Sequence, residues 1–142
     1  MTTQSLTDTV LTALKGIPYL TGGVHDGTPA KVPADRGWYR PHAVVWAGET
    51  RDHTQERSLT QLGTVEQGVW DITVTVTAAI PAYTRTAARH VRTVLTGLAL
   101  PGGGYLKPAP ISGPSTVTAD TTITPTHYYI PTYWTATTGG TP

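Results

Sequence analysis

The sequence predicts an α+β fold: a largely antiparallel β-sheet with two α-helices packed on one face, in the order α-β-β-β-α-β-β. Three observations carry this expectation. Two segments space their apolar residues as one face of a helix. Between them, "GVWDITVTVTAAI" alternates strictly, with Trp70, Ile72, Val74, Val76 and Ala78 on one side and Asp71, Thr73, Thr75 and Thr77 on the other. Clusters of Gly and Pro cut the remaining chain into short pieces of strand length.

The first helix opens at Ser5, where Ser5-x-x-Asp8 approximates a capping box and Asp8 suits the positive helix end. Leu6, Val10, Leu11 and Leu14 form its apolar stripe, and Gly16 and Pro18 stop it. The stretch "YLTGGVHDGTPAKVPADRGWYRP" reads mostly as loop, with a short strand at Val24 to Asp26. "HAVVWA", His42 to Ala47, reads as a buried strand, being short, β-branched and aromatic.

Pro81 ends the alternating strand. In the second helix, "YTRTAARHVRTVLTGLAL", Ala87, Ala88, Val91, Val94, Leu95 and Leu98 share one face, while Arg85, Arg89 and Arg92 lie elsewhere on the cylinder. A turn at Gly102 to Gly104 follows. One strand includes "STVTAD" with Val117 inward. The last is "THYYIPTYWTAT", with Tyr128, Ile130 and Trp134 on one face and Tyr129 and Tyr133 on the other. Pro131 cannot donate to a ladder, so this strand is expected at an edge or with a bulge. Residues 135–142 are expected to form a tail.

The 142 residues suggest one domain, 1–142. Cysteine is absent, which excludes disulfides and thiolate chemistry. No apolar run is long enough for a membrane helix, and "MTTQSLTDTVLTALKG" lacks the basic start and apolar core of a secretion signal. A net charge of +1 argues against bulk nucleic acid as partner. Only 13% of residues are charged, and after Arg92 the only charged side chains are Lys107 and Asp120. Two readings of that poverty stay open. One is a threonine-covered β surface, the other a surface that meets protein, since interface cores are depleted in charge.

Enzyme motifs are missing. "PGGGYLKP" lacks the spacing of a phosphate cradle, no G-x-S-x-G elbow occurs, and the five histidines form no H-x-x-x-H pair. The expectation is a non-enzyme with no metal and no cofactor. Asp52-His53 reads as part of a solvated charge cluster. "RGWYRPH" mixes Arg with Trp38 and Tyr39, a pattern that could stack bases and equally one that anchors a protein interface. Arg85, Arg89 and Arg92 fall at i, i+4 and i+7, which suits a solvated face or contacts to a neighbouring subunit.

A long polar stretch, "GETRDHTQERSLTQLGTVEQG", joins the second and third strands. Connections of that length are usually functional or conceal further structure. It gathers charges of both signs, Arg51, Asp52, Glu56 and Arg57 among them, with Leu59, Leu62 and Val65 as its large aliphatics. It is expected to be a long loop or extended hairpin, mobile in a free subunit and ordered against a neighbour.

Taken in order, the amphipathic "SLTDTVLTALKG", the loop with "VHDG", the strand "RPHAVVWAGE", a polar variable loop, "GVWDITVTVTA", the helix "TRTAARHVRTVLTGL" and the strand "HYYIPTYW" resemble the tail terminator and tail-completion proteins of tailed bacteriophages. The likeness spans nearly the whole chain. The high Thr and Pro content of the C-terminal part and the Asp35–Pro41 segment depart from the pattern. The resemblance implies an α+β virion subunit without catalysis. It implies a homo-oligomeric ring, typically hexameric, at the head-proximal end of the tail, assembled in the host cytoplasm. Its partners would be the tail tube protein and the head–tail connector or stopper, with genomic DNA only passing through the lumen, and Arg85, Arg89 and Arg92 are then expected away from the bore. A neck adaptor or head-closure protein is the alternative within this class, and a nucleic-acid-binding module is the alternative outside it. The expected contact residues are Trp38, Tyr39, Arg40, Arg51, Asp52, Glu56, Arg57, Leu59, Leu62, Val65, Arg85, Arg89, Tyr129 and Tyr133.

Overall fold

The computed structural model describes residues 3–27, 34–35, 38–48, 51–52, 68–109, 116–122 and 126–138. It is an α+β protein with a mixed sheet and two helices. The elements are α1 (Thr3–Lys15), β1 (Val24–Asp26), β2 (Ala34–Asp35), β3 (Trp38–Tyr39), β4 (His42–Ala47), β5 (Arg51–Asp52), β6 (Gly68–Ala78), α2 (Pro81–Leu95), β7 (Lys107–Pro108), β8 (Thr118–Asp120) and β9 (His127–Thr138). Seven strands form the main sheet along the path β1-β4-β6-β9-β7, with β5 also on β6 and β8 also on β9. The strands expected between the helices correspond to β1, β4 and β6. The short β2, β3 and β7 are additions that local pattern did not disclose, and β5 falls in the stretch expected as a long loop or extended hairpin.

The strict alternation in β6 has the expected consequence. Trp70, Ile72, Val74, Val76 and Ala78 are buried. Antiparallel pairing sets Ile72 beside Trp134, Val76 beside Ile130 and Val74 beside Val45. These side chains form one inner face, covered by Leu6, Val10 and Leu14 of α1 and by Ala87, Ala88, Val91 and Leu95 of α2. Burying each large aliphatic or aromatic group stabilises the fold by roughly 1.5–3 kcal/mol.

Helix α1 begins at Thr3, so Ser5 lies inside the first turn rather than at the cap. Asp8 instead accepts a hydrogen bond from Gln4 Nε2 at 2.8 Å. Pro81 ends the strand only in the sense that it begins α2. It occupies the first turn, where its missing N–H costs no helical bond. Helix α2 stops at Leu95, short of Leu98. Gly97 adopts φ 78°, a left-handed conformation that glycine takes without a Cβ penalty, and its N–H donates to the Leu106 carbonyl at 2.8 Å. Leu98 to Leu106 then fold back through the Ala99–Tyr105 bridge.

Strand β9 is neither at an edge nor bulged against β6. The register from Gly68↔Thr138 to Ala78↔Tyr128 is continuous. Pro131 is tolerated for another reason. On the far side of β9, β8 pairs at residues 127–129 and β7 at residues 134–135, leaving a gap between them among the described residues. The Tyr133 carbonyl accepts from Ala109 N–H on that side, so Pro131, two residues away, turns its donorless nitrogen toward the gap. Residues 135–138, expected in the tail, are strand. Within the buried layer Thr132 Oγ1 donates to the Val74 carbonyl and accepts from Trp134 Nε1, both at 2.8 Å. That closes a polar group that would otherwise be costly to bury.

The polar stretch after β4 is partly a hairpin. Gly48 N–H donates to Asp71 O, and Arg51–Asp52 then pair with Val69 and Gly68. The register gains one residue between Ala47↔Ile72 and Arg51↔Val69, the count a bulge introduces. Trp70 Nε1 donates to Gly48 O at 2.8 Å, pinning this exit to the core. Residues 53–67 lie outside the described residues, as does the expected ordering of that loop on assembly. No helix among the described residues is long and apolar enough to cross a membrane.

Candidate protein-contact surface

Strand alternation that buries one face delivers the other outward. The outer face carries Val44 and Trp46 from β4, Thr73, Thr75 and Thr77 from β6, and Tyr129 and Tyr133 from β9. Among the described residues of these three strands, Asp71 is the one carboxylate or cation on this face, and it accepts a hydrogen bond from Thr135 Oγ1 at 2.8 Å. Trp46 is 48% exposed. "HAVVWA" is therefore buried only through Val45. Its parity puts Trp46 outward beside Thr73, and Ala47 is exposed as well.

One end of the outer face is closed. His42, Val44 and Thr77 are buried there. Histidines scattered in sequence meet at this end. His25 stands opposite Val44 in parallel pairing, and its ring meets that of His42 edge-on, with centroids 5.9 Å apart. His42 Nδ1–H donates to the Arg40 carbonyl at 2.9 Å. Burial pushes the His42 pKa down, the bond to Arg40 opposes this, and the neighbouring His25 and His127 push it further down. His127 Nε2 lies 3.3 Å from an Asp120 carboxylate oxygen. Hydrogen bonds from the Thr122 hydroxyl and amide hold the Asp120 carboxyl below the usual carboxylate range, with a smaller contribution from His127. Among the described residues no group of three His, Asp or Glu side chains is arranged to hold a metal.

A second surface lies beside the helices. Arg85, Arg89 and Arg92 of α2 are exposed and line a groove of about 560 Å³ with Ala88, Thr116, Val117 and Ile130. Arg92 also borders a smaller recess of about 150 Å³ against Pro108, Pro131 and Tyr133. Among the described residues no carboxylate pairs with these three arginines.

The expected contact residues thus divide. Tyr129 and Tyr133 belong to the outer face, and Arg85 and Arg89 to the groove. Trp38 and Tyr39 form a two-residue strand paired with Ala34–Asp35, and Arg40 beyond them is exposed. Arg51 and Asp52 sit in β5. Glu56, Arg57, Leu59, Leu62 and Val65 lie outside the described residues. Sequence reasoning missed Trp46, although the period of two that orients β6 would have turned it outward once its register was known. It also missed Tyr105, 65% exposed at the hairpin after α2.

No family model matches the sequence, and no curated protein matches it.

Proposed function

We propose that this chain is a structural subunit of a tailed-phage virion, a tail terminator. It forms a ring, hexameric by the resemblance, that ends the tail tube at its head-proximal end and joins it to the connector. The observation that carries this reading is the asymmetry of the sheet: helices cover one face, while on the other the three central strands β4, β6 and β9 offer Thr, Tyr and Trp46 with Asp71 as their one carboxylate, and Lys107 and Asp120 stand on the flanking strands. Such a surface suits protein contact, because desolvated interface centres favour aromatic residues and exclude charge. The likeness in element order points the same way. The subunit's work is assembly, and its chemistry is that of packing and hydrogen bonding between chains.

Deleting the protein from the phage tests the role. Tails are expected to overgrow and to remain without heads. Tails of normal length that still join heads would overturn the reading. Tails of normal length that fail to join heads would assign the chain to the neck adaptors instead.

A further inference from the structure

Three arginines without a carboxylate partner among the described residues are an unusual use of charge in a chain where only 13% of residues are charged. Arg85, Arg89 and Arg92 form one wall of the groove, and Ala88, Val117 and Ile130 supply an apolar floor. Its occupant should therefore be acidic with intermittent aliphatics. The segment 110–115, "PISGPS", which joins β7 to β8 nearby, carries no charge and cannot neutralise the wall. The stretch between β4 and β6 can. It holds Glu49, Asp52, Glu56 and Glu66, four of the nine Asp and Glu of the chain, against Arg51 and Arg57, and it adds Leu59, Leu62 and Val65.

The anchors of that stretch and the Ile130 floor of the groove lie toward opposite ends of the β6–β9 pair. The acidic stretch leaves and rejoins the sheet at Asp52 and Gly68, which pair with each other. The groove lies by Ile130, whose partner on β6 is Val76. Eight residues along a strand separate them by about 26 Å. A segment anchored toward one end of a subunit that complements a groove toward the other end suits a head-to-tail contact between copies, which closes into a ring when the rotation fits.

We infer that the Arg85–Arg89–Arg92 groove of one subunit receives the acidic Glu49–Glu66 segment of the next. This rests on the ring reading above and names the contact that would build it. Arginine is suited to such a role, since its planar guanidinium binds carboxylates through two parallel hydrogen bonds.

Charge exchange tests it, with association followed by sedimentation velocity over a concentration series and folding by circular dichroism. The groove variant is Arg85→Glu/Arg89→Glu/Arg92→Glu. The segment variant is Glu49→Lys/Asp52→Lys/Glu56→Lys/Glu66→Lys. The wild type is expected to associate, and more weakly as salt rises. Each variant alone should associate at least tenfold more weakly. The chain carrying both sets, and the equimolar mixture of the two variants, should recover. Association of the groove variant at wild-type strength, or no recovery in the combined chain, overturns the inference and leaves the ring reading standing. A wild type that stays monomeric throughout fails both. Recovery of thermal stability by the combined chain as a monomer would show docking within one subunit and overturns the contact between copies. If the triple change unfolds the chain, Arg89→Gln replaces it, with weaker association expected and unchanged association overturning. A labelled DNA duplex that binds through these arginines, with association unaltered by their exchange, would assign the groove to nucleic acid instead.

Discussion

The two faces of the sheet are built from the same strands, often from adjacent residues, yet they answer to different constraints. On the inner face Trp70, Ile72, Val74 and Val76 meet Ile130 and Trp134 under two helices, and buried polar atoms such as Trp134 Nε1 find partners. On the outer face Thr73 and Thr75 stand beside Tyr133 and Pro131, with Trp46 half in solvent. The inner face holds the subunit together. The outer face of β4, β6 and β9 carries no helix, so its composition is not set by packing against α1 and α2. Where the outer face is buried, at His42, Val44 and Thr77, His42 Nδ1–H is bonded to the Arg40 carbonyl, as a buried polar group in a core is.

The contrast is most exposed to a pair of tryptophan truncations. Trp134→Ala should destabilise the chain by about 3–5 kcal/mol, because it removes a large buried ring and leaves a cavity. Trp46→Ala should stay within about 0.5 kcal/mol. Urea denaturation of both measures the difference, and equal costs would erase the distinction between the faces. A smaller effect is expected for Thr132→Val, about 1–3 kcal/mol, because Trp134 Nε1 loses its buried acceptor and the Val74 carbonyl its donor. A variant as stable as the wild type would show that the polar link contributes little.

Acid should act through the closed end of the outer face. The folded pKa of His42 lies below its ordinary value of 6.5. Between those two values the unfolded chain binds the proton more readily than the folded one. His42's contribution is therefore fully present above about pH 6.5, falls as pH drops below it, and levels off once the folded pKa is passed. Denaturation midpoints measured down the pH scale should show this slope, and His42→Gln should flatten it. A small effect on folding is also expected for Thr75→Lys, which exchanges one half-exposed strand residue for another and should change stability by less than about 1 kcal/mol. If the outer face meets protein, the same substitution should nonetheless weaken association markedly. Unaltered association would remove Thr75 from the contact.

Much of the inner face was legible because it is written at short range. A period of two orients Trp70 through Ala78 without knowledge of any other strand, and a period near 3.6 does the same for Leu6, Val10 and Leu14. Tyr129 and Tyr133 were placed correctly opposite Ile130 and Trp134 by the same local rule. The candidate surface was less legible. Arg85 and Arg89 could be assigned to one helical face, but nothing local says that Val117 and Ile130 close a groove beside them. Trp46 was misread because a short apolar strand looks alike whether one or both faces are covered.

By itself, the sequence determined which residues of each long strand and helix share a side, since that depends only on backbone geometry within the element. It also marked, at Pro81, the break between β6 and α2, and supplied in Gly97 the residue that lets the chain turn away. Only the tertiary structure decided that β1 runs parallel to β4, that His25, His42 and His127 gather at one end, and that Pro131 stands between the residues paired by β7 and those paired by β8 rather than at a bulge. Each of these is a pairing between segments distant in sequence. Such pairings are selected by the burial of the whole inner face at once, and no short stretch of the chain carries that information alone.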